Sequence, residues 1–352
     1  MTRVHQFHPV LAPGDAMSNH VFALQRRLRE WGHEARAYAI EAKPGVDEVL
    51  PYRRLFRDVA PEDLVLLHFS MGNEVFTQLA KLRARKVLVY HNITPAEFFR
   101  GINAHAAAYA RLGRRQLVEM APAIELAIGV SEYDRRELEE AGYARTAHVP
   151  ILIDWHAHET TPDDAVMARW DGVRPLLLFV GRVSPHKRQD DLIRMLAYYR
   201  ACIDPNARLA LVGGYRDQPQ YHARLVELVK ALHLEPAVTF AGPVSTAELV
   251  AYFRSASAFV SLSEHEGFGV PLLEAMRFDV PVIAYDAAAV GETVDGAGLL
   301  LKDRDLAQAA EAVGLVLERP ALREQLVAAG RERLNAFDPD RVALRTREVL
   351  GL

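Results

Sequence analysis

Two glutamates, Glu266 and Glu274, stand eight residues apart on either side of a glycine-rich turn. The apolar run 258–262 before them predicts a buried strand, and the apolar positions after them predict a helix that has Pro271 at its first position. The N-terminus of a helix attracts a phosphate through its free N–H groups and partial positive charge. Carboxylates on both sides of that anion site would accept hydrogen bonds from hydroxyls. The segment therefore predicts binding of a phosphate flanked by hydroxyls, as in a nucleotide sugar.

A basic pair lies on a second glycine-opened loop. Arg182 and Lys187 are five residues apart and follow the apolar run 175–180 directly. Such a pair can hold a diphosphate, because arginine binds as a planar fork and lysine as a point charge. A solvated basic loop is the alternative, as helix capping is for the two glutamates. The carboxyl ends of parallel strands bind ligands, which favours a site for both motifs.

The N-terminal half offers weaker candidates. Gly14 and Asp15 follow the first apolar run, and His91 directly follows the predicted strand 87–90. Asp15 or Ser18 equally suits the N-cap of the helix predicted from about residue 18 to 31. His91 is one of 14 histidines, and a lone histidine is more often structural than functional. Its position at the carboxyl end of a strand favours a functional role.

Together, the patterns Gly-Arg-x4-Lys and Glu-x7-Glu around Gly-Phe-Gly-x-Pro resemble the GT4 family of retaining glycosyltransferases, which have the GT-B fold. The resemblance implies that Arg182 and Lys187 hold the donor diphosphate. It gives Glu266 the donor sugar and Glu274 the ribose. It implies a sugar contact for His91 and a loop facing the donor at Gly14 and Asp15. The other donor-binding residues that it implies are Gly181, Gly267, Phe268, Gly269 and Val270.

The resemblance implies transfer of a hexose-type sugar from a UDP- or GDP-linked donor to an acceptor hydroxyl, with retention of configuration. No cofactor or metal is expected, because the basic pair and the helix N-terminus supply the counter-charge. The acceptor is expected to be a growing polysaccharide, a lipid-linked sugar or a small molecule in polysaccharide or glycoconjugate synthesis. A sugar-nucleotide epimerase, a glycogen-phosphorylase-like enzyme and a non-catalytic scaffold of the same fold remain alternatives.

The elements that must position these residues alternate between strand and helix, which predicts an α/β fold with parallel sheets. A chain of 352 residues exceeds one usual hydrophobic core, so two domains are expected. We predict GT-B architecture, with two Rossmann-like doubly wound domains facing across a cleft. The predicted bounds are 1–155 for the acceptor-side domain, 165–337 for the nucleotide-sugar domain and 338–352 for a helix crossing back. The run 149–154 is predicted to be the last strand of the first domain.

Composition bounds the partners and the compartment. The net charge of −4 argues against a nucleic-acid binder. The first 150 residues are slightly basic and the remainder is acidic, which is compatible with peripheral membrane contact through the N-terminal domain. No apolar run approaches the ~20 residues of a membrane span, and no signal peptide is recognisable. With Cys202 as its single cysteine, the chain is expected to be cytoplasmic.

Overall fold

The computed structural model describes residues 2–352, which divide into two compact units. The first unit comprises the described residues up to Arg100 together with Ala104–Trp155 and Phe337–Leu352. The second unit comprises Gly101–Asn103 and His156–Ala336. Each unit has its own parallel sheet and its own buried apolar core.

Seven parallel strands form the sheet of the first unit. They are β1 (Arg3–Leu11), β2 (Glu34–Ala42), β3 (Val49–Pro51), β4 (Leu64–Phe69), β5 (Arg85–Tyr90), β6 (Leu126–Gly129) and β7 (Thr146–His148). Their order is β3-β2-β1-β4-β5-β6-β7. All six residues of β4 are buried, because helices cover both faces of the sheet and leave no polar face. The reversal of strand order between β1 and β4 is the type of position where open parallel sheets bind ligands.

Five helices of the first unit precede its last strand. They are α1 (Ala16–Glu30), α2 (Tyr52–Asp58), α3 (Glu74–Leu79), α4 (Ala104–Met120) and α5 (Glu132–Glu140), with short 3₁₀ helices at Ala96–Phe99 and Ala121–Ala123. No pattern described for the sequence predicts α4. Its buried face contains small residues such as Ala107, Ala110 and Gly113, which give a weak hydrophobic period. A Cβ on Gly113 would lie 2.6 Å from the backbone nitrogen of Gly72, so the helix needs a glycine there.

The second unit is built on a six-stranded parallel sheet in the order β10-β9-β8-β11-β12-β13. The continuous apolar run in its first strand is buried, as the sequence predicts for a central parallel strand. The strands are β8 (Leu176–Val180), β9 (Arg208–Val212), β10 (Val238–Gly242), β11 (Ala258–Ser261), β12 (Val282–Tyr285) and β13 (Leu299–Leu301).

Helices cover the second sheet. They are α6 (Asp164–Trp170), α7 (Gln189–Cys202), α8 (Pro219–Ala231), α9 (Thr246–Ser255), α10 (Val270–Arg277), α11 (Val290–Val294), α12 (Leu306–Glu318) and α13 (Pro320–Arg333). Short 3₁₀ helices occur at Trp155–Glu159, Pro185–Lys187 and Leu334–Phe337. Among residues 2–352, no helix is both long enough and apolar enough to cross a bilayer.

The last helix, α14 (Pro339–Leu350), belongs to the first unit. Its residues Val342, Ala343 and Leu350 are buried in one cluster with Val4 and Leu24. Asp338 caps the helix by accepting hydrogen bonds from two backbone N–H groups of its first turn. The chain therefore ends on the sheet with which it begins.

The predicted strand at 149–154 is wrong. The nearest strand is β7, which ends at His148. Val149 and residues 151–153 are buried without entering the sheet as a strand. Pro150 has no N–H to give to a neighbouring strand, and the backbone N–H of Leu152 donates to His20 Nδ1 instead, at 2.9 Å. An apolar run alone does not show whether its backbone pairs with a strand or with side chains.

Candidate functional site

The predicted site residues fall into two groups, one in each unit. The first unit holds Gly14, Asp15 and His91. The second unit holds the residues of the two glycine-containing loops, which are Gly181, Arg182, Lys187, Glu266, Gly267, Phe268, Gly269, Val270 and Glu274.

The acidic loop connects β11 to α10. Gly269 is the N-cap residue of the helix and has a left-handed backbone, with φ of +93°. A Cβ at this position would also lie 2.7 Å from the side chain of Leu272, so the loop requires glycine there. The helix begins at Val270, so Pro271 is at its second position, whereas the sequence pattern predicted the first. Proline still loses nothing there, since the N–H groups of the first turn have no partner within the helix.

Hydrogen bonds from α11 and the residue before it hold the backbone of the acidic loop. The carbonyl of Glu266 accepts from the backbone N–H of Ala289 at 3.1 Å. The carbonyl of Phe268 accepts from Thr293 Oγ1 at 2.6 Å, and the Phe268 side chain is buried. With carbonyls on both sides of Gly267 fixed, the loop presents Glu266 in a defined position.

The basic loop contacts the acidic loop directly. Lys187 Nζ donates to Glu266 Oε2 at 2.5 Å, and both side chains are largely buried. The backbone also joins the loops, because the N–H of Glu264 donates to the carbonyl of His186 at 2.8 Å. Arg182 is exposed, and its guanidinium pairs with none of the described residues. The structure therefore joins Lys187 to Glu266 and leaves the Arg182 side chain available to a ligand.

A second glycine contact supports the start of the basic loop. Gly213 follows β9 with φ of +143°, and a Cβ there would lie 2.2 Å from the carbonyl oxygen of Gly181 and 3.1 Å from the nitrogen of Arg182. The ladder between β8 and β9 continues past this point, since Val183 N–H donates to the carbonyl of Gly214 at 2.8 Å. The position of Arg182 therefore depends on the absence of a side chain at residue 213.

Gly213→Ala is expected to destabilise the second unit by at least about 2 kcal/mol and to weaken the predicted nucleotide binding by about tenfold. The added methyl group must displace the backbone of Gly181. Gly214→Ala is the matched control, because a Cβ at residue 214 meets nothing within 4 Å. Urea denaturation followed by circular dichroism and calorimetry with UDP and GDP measure both effects. Equal losses in the two variants would show that the contact with Gly181 is unimportant.

Glu274 is buried on α10. Its Oε1 lies 3.0 Å from Nε2 of His158, which comes from the 3₁₀ helix Trp155–Glu159. The predicted domain bounds, 1–155 and 165–337, leave His158 between the two domains and without a predicted role. No local pattern connects two residues that are 116 positions apart.

In the first unit, Asp15 is the N-cap of α1. Its Oδ2 accepts from the N–H of Ser18 at 3.1 Å and from the Ser18 hydroxyl at 3.0 Å. Ser18 Oγ in turn accepts from the N–H of Ala12 at 3.0 Å. Gly14 has φ of +71°, and a Cβ on it would meet nothing within 4 Å. The structure therefore shows a capping role for Asp15, which is compatible with an additional role toward a donor.

His91 ends a chain of buried hydrogen bonds that fixes its tautomer. Gln6 Nε2 donates to the carbonyl of Val21, so Gln6 Oε1 is the acceptor for His68 Nε2 at 3.0 Å. A neutral His68 then has a lone pair on Nδ1, which accepts from His91 Nε2 at 3.1 Å. His91 Nδ1 is left as a buried acceptor without a hydrogen-bond partner in residues 2–352.

Burial keeps this histidine group neutral. It lowers the pKa of His68 and His91 well below 6.5, and the neighbouring histidines lower both further. Burial also lowers the pKa of His20 to about 4. The ring of His20 packs edge-on against both His68 and His91, with ring centroids 5.5 Å apart in each pair. Neutral imidazoles of defined tautomer therefore surround His91.

His20, His68 and His91 are also the group best placed to hold a metal in the described part of the chain, since one ring nitrogen of each lies within 4.8 Å of the others. Three histidines are a common zinc ligand set. The hydrogen bonds that these histidines form argue against a metal site here. His20 Nδ1 accepts from Leu152 N–H, which leaves the proton of a neutral ring on Nε2, and His91 Nε2 donates to His68. A metal would displace protons that these bonds fix.

The pattern Asp-x-Asp, which binds metal in another glycosyltransferase fold, occurs at 303–305 and 338–340. In the structure, Asp305 and Asp338 each cap a helix with their carboxylates. These two positions therefore have a structural explanation.

Comparison with known proteins identifies the family. Residues 165–333 match the model of the family described as glycosyl transferases group 1. Residues 165–333 belong to this family. The matched region contains every predicted residue of the second unit, from Gly181 to Glu274, whereas Gly14, Asp15 and His91 lie outside it.

Curated relatives of this chain include a D-inositol 3-phosphate glycosyltransferase of Kineococcus radiotolerans. It is 31% identical over 258 residues, which are 68% of this chain and 59% of the relative. A GDP-mannose-dependent alpha-(1-6)-phosphatidylinositol monomannoside mannosyltransferase of Mycobacterium tuberculosis is 31% identical over 59% of this chain and 56% of its own length. The chain thus spans between two fifths and three fifths of the first relatives that it matches.

Similar solved structures show the fold of this chain. HepE of Anabaena in complex with UDP-glucose has a TM-score of 0.81 at 17% identity over the whole of both chains. Sucrose-phosphate synthase of Thermosynechococcus elongatus has a TM-score of 0.78 at 19% identity, covering 99% of this chain and 98% of that one. WaaG, a glycosyltransferase involved in lipopolysaccharide biosynthesis, has a TM-score of 0.77 at 16% identity, covering 98% and 99%. The prediction of two Rossmann-like domains with GT-B architecture is confirmed.

Proposed function

We propose that this chain transfers a hexose-type sugar from a nucleotide diphosphate donor to an acceptor hydroxyl with retention of configuration. One observation carries the proposal. Lys187 and Glu266, which come from two loops at the carboxyl ends of β8 and β11, are joined beside the N-terminus of α10, with the side chain of Arg182 exposed. A cation, an anion-binding helix end and a hydroxyl acceptor in one unit suit a sugar diphosphate.

The reaction that we propose needs stabilisation of the leaving group. As the bond between the anomeric carbon and the phosphate oxygen breaks, negative charge builds on the diphosphate. Arg182, Lys187 and the N–H groups that open α10 offset that charge. The acceptor hydroxyl attacks the same face of the sugar and gives its proton to the leaving phosphate oxygen. No residue is assigned as a nucleophile, because Glu266 is engaged by Lys187 and is proposed to contact sugar hydroxyls.

Glu266 can hold Lys187 and the sugar at the same time. A carboxylate offers about four lone-pair positions, and an ammonium group offers three N–H donors. The contact at 2.5 Å uses one of each. Lys187 is therefore pre-oriented by Glu266 and retains donors for the phosphates.

We propose UDP or GDP as the nucleotide. The HepE structures contain UDP or UDP-glucose, and one relative is named as GDP-mannose-dependent. We further propose a sugar, lipid-linked or small-molecule acceptor, a role in polysaccharide or glycoconjugate synthesis, a cytoplasmic location and peripheral membrane contact through the first unit.

The test of the function is nucleotide binding without metal. In the presence of EDTA, UDP or GDP is expected to bind and to stabilise the second unit, by about 2.7 kcal/mol at a free concentration of 100 times Kd. Calorimetry gives Kd, and thermal denaturation gives the shift in Tm. Binding that disappears on chelation would refute the proposal of metal independence. Consumption of the sugar nucleotide without any acceptor would favour the epimerase alternative.

A further inference from the structure

The carboxylate of Glu274 has a single hydrogen-bond partner in residues 2–352, and that partner is His158. Both side chains are about nine-tenths buried, and Oε1 lies 3.0 Å from Nε2. A buried carboxylate is costly unless it is hydrogen-bonded. The contact therefore determines the direction in which the Glu274 carboxylate points.

The segment that carries His158 lies along one face of α10. Glu274, Arg277 and Phe278 are spaced i, i+3 and i+4, so their side chains share a face at the C-terminal end of the helix. His158 contacts Glu274, and its ring centroid is 6.2 Å from that of Phe278. Glu159 forms an ion pair with Arg277 at 3.8 Å. Three contacts therefore hold the segment that carries His158 in place, and the position of the ring does not depend on Glu274 alone.

We propose that His158 is a positioning residue for nucleotide binding, which acts by fixing the carboxylate of Glu274 for the ribose hydroxyls. This inference rests on the proposed function and on the ribose contact that the family resemblance implies for Glu274. His158 itself need not touch the nucleotide.

The chemistry permits three hydrogen bonds to Glu274 at once. One lone pair of its two oxygens accepts from His158, and others remain for the two ribose hydroxyls. An unrestrained glutamate loses rotamer freedom when it binds a ligand, and this loss weakens binding. His158 removes that loss in advance, because the free protein already holds the carboxylate in one orientation.

Three substitutions separate the N–H donor from the bulk of the ring. In His158→Gln the amide nitrogen reaches about the position of Nε2 and can donate to Glu274. In His158→Asn the amide group lies near the position of Nδ1 and falls short of the carboxylate. His158→Leu removes the donor and keeps apolar volume beside Phe278. His156→Leu is the control, because His156 is in the same 3₁₀ helix but its side chain is 89% exposed.

The readout is the ratio of Kd values for the 2′,3′-dideoxy nucleotide and the ordinary nucleotide, measured by calorimetry with UDP and GDP. The wild-type chain and His156→Leu are expected to bind the ordinary nucleotide about 10- to 100-fold more tightly. His158→Gln keeps most of this preference. His158→Asn and His158→Leu reduce it to about threefold or less. If the role of His158 were merely structural, its loss would weaken the binding of both nucleotides equally and leave the ratio of Kd values unchanged.

Each other outcome overturns a specific statement. A wild-type ratio in His158→Leu, or equal ratios in His158→Gln and His158→Asn, overturns the positioning role. If His158→Leu does not fold, the comparison of His158→Gln with His158→Asn still decides whether His158 positions Glu274. Tight binding of both nucleotides by the wild type, without preference, overturns the inference and leaves the proposed function standing. Failure of the wild type to bind either UDP or GDP overturns both.

Discussion

Lys187→Ala and Arg182→Ala are each expected to lower sugar transfer by about 10²–10³-fold, the usual loss when one group that stabilises transition-state charge is removed. The loss in nucleotide affinity is expected to be smaller, because charge on the leaving phosphate grows only as the glycosidic bond breaks. Lys187→Ala also leaves Glu266 without the cation that now lies 2.5 Å from its carboxylate. We expect this variant to lose more affinity than Arg182→Ala, since the negative charge of Glu266 would then face the diphosphate without compensation.

Matched variants show whether the charge of the side chain, its geometry or its proximity to the diphosphate is responsible for the loss of sugar transfer. Arg182→Lys keeps the charge but cannot reproduce the planar fork, so little activity should return. Arg194→Ala removes the same charge from the same unit at a half-exposed position on α7, where the side chain pairs with Asp190, and should have no effect. His91→Ala should lower transfer while the Kd for UDP or GDP stays near the wild-type value. If His91→Ala weakens the bare nucleotide as much as Lys187→Ala does, the assignment of His91 to the sugar is wrong.

Much of the fold could be predicted because local patterns determine it. Buried parallel strands appear as continuous apolar runs, and the run 258–262 predicted the buried strand that the structure shows as β11, Ala258–Ser261. Helix α4 was missed because alanine and glycine on its buried face give little hydrophobic contrast. The run 149–154 was assigned to a strand because an apolar run shows burial but not the partner of its backbone N–H groups. Leu152 donates to a histidine 132 residues away.

The site could be predicted only where its residues are close in sequence. Glu266 and Glu274 flank one loop, and Arg182 and Lys187 share another, so spacing alone indicated their chemistry. The residues that orient them come from distant segments. His158 lies 116 positions from Glu274, and Gly213 supports Gly181 from the next strand. Their roles depend on hydrogen bonds and close contacts that only folding creates.

The stability of the first unit is expected to fall steeply below pH 6.5. In the unfolded chain a histidine titrates near 6.5, whereas burial lowers the pKa of His20 to about 4 and the pKa values of His68 and His91 well below 6.5. Between these values the unfolded chain binds protons that the folded chain excludes, so the free energy of unfolding decreases as the pH falls. At pH 5 His20 alone accounts for a loss of about 2 kcal/mol relative to pH 7.5, and above about pH 7.5 its contribution is nearly constant.

Urea denaturation of the wild type and of His20→Asn between pH 7.5 and pH 5 tests this expectation. The asparagine oxygen lies near the position of Nδ1, so it can accept the hydrogen bond from Leu152 N–H without binding a proton. The variant is expected to be less stable at pH 7.5, because it leaves part of the ring volume empty. Its dependence on pH should be weaker than that of the wild type by up to about 1.4 kcal/mol per pH unit below pH 6.5. His156→Asn, at an exposed position, should change neither quantity. Parallel curves of the free energy of unfolding against pH for the wild type and His20→Asn would mean that His20 takes up a proton equally well in the folded and the unfolded chain. The assignment of a neutral His20 ring that accepts from Leu152 N–H would then be wrong.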